Sequence, residues 1–141
     1  MSAEVTRDRT PIRITHLQNT GDNRGSSFIL PNWCINFIDS VKDIHISTIV
    51  SGAVRGNHYH KNHRELLLVI YHDKWSLHWD TGSDTKIHKK TFSGSGAVSV
   101  EIEPMASHAI RNDGMQKLYV FGLADMHYEP DAPDSHQKDV I

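Results

Sequence analysis

From residue 44 onward the chain is a succession of short segments rich in β-branched and aromatic residues, each closed by turn residues, and this pattern restricts the fold more than any other feature. "DIHISTIV" alternates, with Ile44, Ile46, Thr48 and Val50 on one face. "WSLHWD" alternates again and sets Trp75, Leu77 and Trp79 opposite Ser76, His78 and Asp80. "ELLLVIYH" is apolar almost throughout, so both faces of that strand are expected to be covered. Leu66, Leu68 and Ile70 would meet a partner subunit or a second sheet, and Leu67 and Val69 would line a cavity behind Glu65. The link His72-Asp73-Lys74 reads as a hairpin turn. Further on, "DTGSD", "FSGSGA" and "RNDGM" are turns that separate "TKIHKKTF", "AVSVEIE", "SHAIRN" and "KLYVFGLA". No long amphipathic helix interrupts the series. The spacing predicts an all-β fold, an antiparallel sandwich or jelly-roll barrel.

A chain of 141 residues is the size of one domain. Residues 44–124 are read as the barrel and 1–40 as an N-terminal arm with edge strands, drawn from "PIRITHL" and "SSFILPNWCINFI". Residues 125–141, rich in Pro and Asp, are read as an extended tail. Fifteen Lys and Arg against 17 Asp and Glu give a net charge of −2, so neither nucleic acid nor an anionic membrane is an expected partner. The apolar run Leu66 to Tyr71 is too short to span a bilayer, and "MSAEVTRDRT" lacks the apolar core of a signal peptide. A cytoplasmic protein with a small-molecule partner is expected. The single cysteine, Cys34, has no intrachain partner and reads as a small buried side chain.

Eleven histidines are an excess, and the cluster "HYHKNHRE" is where their spacing becomes informative. Residues two apart on a strand share a face, so His58 and His60 point the same way. Glu65 opens the next strand, and a hairpin through Lys61 to Arg64 would return its carboxylate beside the two imidazoles. His108 begins "SHAIRN" and would face them across the barrel. Three imidazoles and one carboxylate suit Fe, Mn, Ni, Cu or Zn without selecting among them. His63 in the bend is read as solvent-facing, Trp75 and Trp79 as core, and Asn112 and Asp113 as turn formers. Tyr71 has the strand parity of Glu65, which makes it either a proton donor in the cavity or a core residue.

"GAVRGNHYHKNHRE" resembles the first cupin motif, with Gly52, five residues, His58, one residue, His60, four residues and Glu65. "PMASHAIRN" resembles the second motif through Pro104, His108 and Asn112. His72 stands where the first motif commonly has glycine, and three residues rather than four separate Pro104 from His108. The resemblance implies a cupin-type sandwich in which His58, His60, Glu65 and His108 are the ligands of a divalent transition metal.

"GDNRGSSF" followed by "GAVRGNHYH" resembles the dTDP-keto-sugar 3,5-epimerases and the sugar-nucleotide ketoisomerases, cupins that work without metal. That resemblance implies His58 as a general base and Arg24 and Arg55 as holders of a nucleotide diphosphate. His60 stands where the epimerases commonly have glutamine. Together the two resemblances imply an isomerase or epimerase of a carbohydrate derivative, such as a keto-sugar nucleotide, that abstracts a proton beside a carbonyl, and the apolar run "LLLVIY" predicts a homodimer. A metal would polarise that carbonyl, and without one His58 would serve as base. The alternatives are a non-catalytic cupin module that binds a small metabolite or metal, and an Fe(II)-dependent dioxygenase.

Overall fold

The computed structural model describes residues 11–82 and 86–141. The first ten residues of the expected arm, and part of the turn after Asp80, lie outside the described residues. The described strands are β1 (Ile12–His16), β2 (Gln18–Asn19), β3 (Phe28–Ile29), β4 (Asp43–Ile49), β5 (Val54–Tyr59) and β6 (Glu65–Tyr71). They continue with β7 (Trp75–Trp79), β8 (His88–Phe92), β9 (Gly96–Ile102), β10 (His108–Asn112), β11 (Leu118–Ala124) and β12 (His136–Gln137). Among the described residues one helix, α1 (Asn32–Ile38), precedes β4.

Two antiparallel sheets face each other, one ordered β1-β9-β6-β11-β4 and the other β12-β5-β10-β7-β8. This is the expected antiparallel β-sandwich of the cupin type. The inner faces meet in one apolar core that includes Val69, Tyr71, Trp75, Leu77, Phe92, Val98, Val100 and Ile110. Trp75 and Phe92 stack at 4.1 Å between centroids, and Tyr71 leans on both. These aromatics fill one end of the sandwich, which leaves the other end to the polar inward residues of β5, β6 and β10.

Two links differ from the hairpins expected. β6 pairs with β9 and β11, whereas β7 pairs with β10 and β8, so His72-Asp73-Lys74 carries the chain from one sheet to the other. The bend from β5 to β6 crosses between sheets in the same way. Strand periodicity records faces and not partners, so a short turn reads alike in both cases.

The segment "NWCINFI", expected as edge strand or arm, is helical. Cys34, Phe37 and Ile38 recur at helical spacing and are buried, with Phe37 and Ile38 packed on Leu66. The helix therefore covers Leu66, which had been assigned to a partner or second sheet. Cys34 is fully buried with its sulfur 3.4 Å from Ser99 Oγ.

The face of β4 is reversed from the simplest reading. Ile44 and Ile46 are exposed outside, and Asp43, His45, Ser47 and Ile49 line the interior.

Candidate metal centre

The open end of the sandwich holds a cavity of about 450 Å³. A β-bulge aims His58, the first candidate ligand, into it. Between β5 and β10 the register shifts, with His58 opposite His108 and Gly56 opposite Ala109, so Asn57 is the extra residue. Gly56 has φ +98°, and a Cβ there would lie 2.7 Å from the His108 carbonyl oxygen, so only glycine permits this approach. Asn57 is also left-handed, at φ 56°. Its side-chain oxygen accepts the N–H groups of Val140 and Ile141 at 2.9 and 3.2 Å, which moors the end of the chain beside the site.

His58, His60, Glu65 and His108 offer ligand atoms that all lie within 4.8 Å of one another. The four residues expected from the sequence are brought together. His60 Nδ1–H donates to the Asp134 carbonyl at 2.7 Å, and His108 Nδ1–H donates to the Ala106 carbonyl at 2.9 Å. A carbonyl can only accept, so in each neutral ring the proton sits on Nδ1 and Nε2 carries a lone pair. Both Nε2 atoms are buried and without a hydrogen-bond partner. They lie 3.6 and 3.3 Å from the same Glu65 oxygen, contacts of ionic range that lack hydrogen-bond geometry. Two lone pairs and a carboxylate oxygen thus converge on one point, an arrangement that calls for a cation. The donor set of three nitrogens and one oxygen fits a divalent transition metal.

The electrostatics of the four side chains pull in different directions. Burial, with the neighbouring imidazoles of His108 and His60, pushes His58 down to about 4, which keeps its ring neutral at physiological pH. Burial opposes charge on Glu65, but the neighbouring imidazoles of His108 and His60 outweigh it and hold the carboxyl below its ordinary range. On His60 burial is likewise outweighed, by Glu65 and the Asp134 carbonyl, and its affinity for a proton rises.

His63 is not solvent-facing. It lines the cavity with its ring 4.2 Å from that of His60, and its Nδ1 lies 2.8 Å from Asp134 Oδ2. Asp134 also accepts the backbone N–H groups of Lys61 and Asn62 and contacts His136. Burial opposes its charge, yet these donors bring its carboxyl down to about 2. The tail assigned as merely extended supplies β12 beside β5 and a wall of the cavity through Tyr128, Pro133 and Asp134.

Arg55 lines the cavity, with Nε donating to the Thr48 carbonyl at 2.9 Å. Arg24 does not. It is bound through Nε and Nη2 to Asp22 in the β2–β3 hairpin, and its side chain is 87% exposed. That hairpin lies with Tyr71 and Gly96 at the aromatic end, away from the ligands. Tyr71 is inward as its parity requires, but six residues along β6 from Glu65 place it about 20 Å away. Its surroundings are Trp75 and Phe92, so it serves the core and not the cavity.

The cavity residues missed from the sequence include Asp43, His45, Tyr128 and Asp134. Asp43 and His45 carried a signal, because they are the polar alternates of Ile44 and Ile46. Tyr128 and Asp134 lie in a tail with no periodicity to place them.

The family model described as "Polysaccharide biosynthesis C-terminal domain" matches residues 17–136. No curated protein matches the sequence. Among solved structures, the capsular polysaccharide assembling protein CapF from Staphylococcus aureus superposes with a TM-score of 0.62 at 22% identity, over 88% of this chain and 34% of that one. The chain therefore spans about a third of CapF. A mutant of the 3,4-ketoisomerase QdtA from Thermoanaerobacterium thermosaccharolyticum, in complex with TDP-4-keto-6-deoxyglucose, gives 0.67 at 14% identity, covering 91% and 88%. A 3,4-ketoisomerase from Helicobacter canadensis gives 0.67 at 19% identity, covering 90% of each chain. At these identities the superpositions establish a shared fold, whereas the match of the family model covers most of the sequence. On that match, the chain belongs to the polysaccharide biosynthesis C-terminal domain family.

Proposed function

We propose that this chain is an isomerase or epimerase of a carbohydrate derivative, a keto-sugar nucleotide, and that it works by moving a proton beside the sugar carbonyl at a metal-holding cavity. The observation that carries the reading is the convergence of two unpartnered Nε2 lone pairs and the Glu65 carboxylate with His58 at the base of the cavity. A divalent metal held by His58, His60, Glu65 and His108 would supply Lewis-acid polarisation of the carbonyl. The fold shared with ketoisomerases, one of them bound to a TDP-keto-sugar, supports the substrate class.

The chain's own groups complete the site. Arg55 has Nε fixed on Thr48, which leaves its terminal nitrogens for a diphosphate at the mouth. Leu67, Ile110 and Val120 give the cavity apolar walls that would limit the water around a bound substrate. His58 lends its lone pair as a ligand, so a base distinct from it is required.

The test is solvent deuterium exchange into a panel of TDP-, UDP- and GDP-linked keto-sugars, followed by NMR with and without a chelator. Exchange at the carbon beside the carbonyl, lost on metal removal and restored by metal, is expected. Absence of exchange across the panel contradicts the reading and leaves a module that binds a metal or small metabolite. Oxygen uptake with Fe(II) would instead indicate a dioxygenase.

A further inference from the structure

We infer that His45 and Asp43 form the proton-transfer pair of this cavity, with His45 as the base that takes the proton beside the carbonyl. The inference rests on the isomerase reading above and supplies the base that reading lacks. His45 and Asp43 are alternate residues of β4, so both project inward, and His45 Nδ1 lies 2.5 Å from Asp43 Oδ2. A carboxylate on Nδ1 fixes the tautomer that carries the proton there and leaves Nε2 as the accepting nitrogen. The same carboxylate stabilises the imidazolium once a proton arrives. Tyr128 meets the His45 ring edge-on at 5.6 Å and holds its orientation from the tail side.

The sheet sets this pair opposite the metal ligands. In the register of β4 with β11, His45 lies across from Gly122, and Gly122 lies across from Leu67 of β6. Ala124 is flanked in the same way by Asp43 and Glu65. A Cβ added at Gly122 would be 3.4 Å from Leu67 Cδ2 and 3.8 Å from both Glu65 Oε2 and His45 Cβ. The missing side chain thus keeps open the space between base and carboxylate ligand, where a sugar carbonyl and its neighbouring carbon can enter. His45 retains 57% side-chain exposure, as a base that meets an incoming substrate requires.

The step balances without a co-reactant. The C–H bond beside the carbonyl breaks and its proton bonds to His45 Nε2. The C–H electron pair becomes a carbon–carbon π bond, and the carbonyl π pair moves onto oxygen. Protonation of that carbon by solvent from its other face, with His45 releasing its proton to solvent, gives an epimer, whereas return of the proton from His45 to the former carbonyl carbon, after the proton of a neighbouring hydroxyl has moved to the first oxygen, gives the isomeric ketone. His45 is the catalytic residue, and Asp43 acts through it as a positioning residue.

The experiment measures exchange into the keto-sugar panel by wild type, His45→Gln, His45→Ala and Asp43→Asn, alongside metal content and thermal midpoint. Both His45 variants should lose ~100-fold or more in kcat, with KM within about twofold and metal content unchanged. Asp43→Asn should lose at least ~10-fold in kcat, also without a change in KM. Exchange at the wild-type rate in both His45 variants overturns the inference and leaves the isomerase reading standing. Loss of metal, or an effect confined to KM, also overturns it, because His45 would then be structural or binding. Wild type that exchanges nothing removes the isomerase reading and this base with it.

Discussion

At the scale of single residues, Asp134 shows how much of the site lies outside the ligands. Its carbonyl fixes the His60 tautomer, while its carboxylate is held by Lys61, Asn62, His63 and His136. Such partners orient metal ligands, and their loss commonly weakens binding by ~10- to 100-fold. Asp134→Ala should therefore lower Co(II) affinity by ~10-fold or more and change the d–d spectrum of the bound ion. An unchanged spectrum and affinity would show that the Asp134 carboxylate is not needed to hold its backbone carbonyl beside His60. The four candidate ligands were legible because strand parity and motif spacing fix which side chains share a face. Asp134 was not, because only tertiary pairing of an aperiodic tail brings it to His60. His63 was misread for the same reason: a bend residue looks exposed until the tail that covers it is known.

At the scale of elements, the strands of the barrel were legible and their partners were not. β4 illustrates the limit. A strand alternating Ile with polar residues is ordinarily apolar inward, but here the interior is a polar cavity mouth and the isoleucines face out. α1 was missed because "NWCINFI" is as rich in aromatic and β-branched residues as a strand, and its burial on Leu66 decides the matter. The helix covers only part of the outer face of its sheet. Ile44 and Ile46 remain 61% and 72% exposed on the edge strand, with Tyr119 and Ile70 at 49% and 39% on the next two. An edge strand beside such a surface favours a partner. We propose a second copy of the chain in that place. Light scattering at micromolar concentration should give twice the chain mass of 16.0 kDa, and Ile46→Lys should shift it toward one chain mass. A wild-type mass of one chain would refute the dimer.

At the scale of the whole molecule, the sandwich divides its labour between two ends. Aromatic packing of Tyr71, Trp75 and Phe92 closes one end and fixes the distance between the sheets. At the other end His58 and His108 come from one sheet, Glu65 from the other, and His60 from the bend between them. A metal bound there would tie the two sheets together and stabilise the folded chain, by ~4 kcal/mol at a thousandfold excess over Kd. Elemental analysis of untagged protein, paired with thermal melts of wild type, His60→Ala and His108→Ala, tests this centre most directly. The account predicts ~1 transition metal per wild-type chain, removal of most of it by either substitution, and a fall of the melting temperature in the holo form only. Full metal occupancy in both variants, or a wild-type chain that takes up no metal on reconstitution, would contradict it.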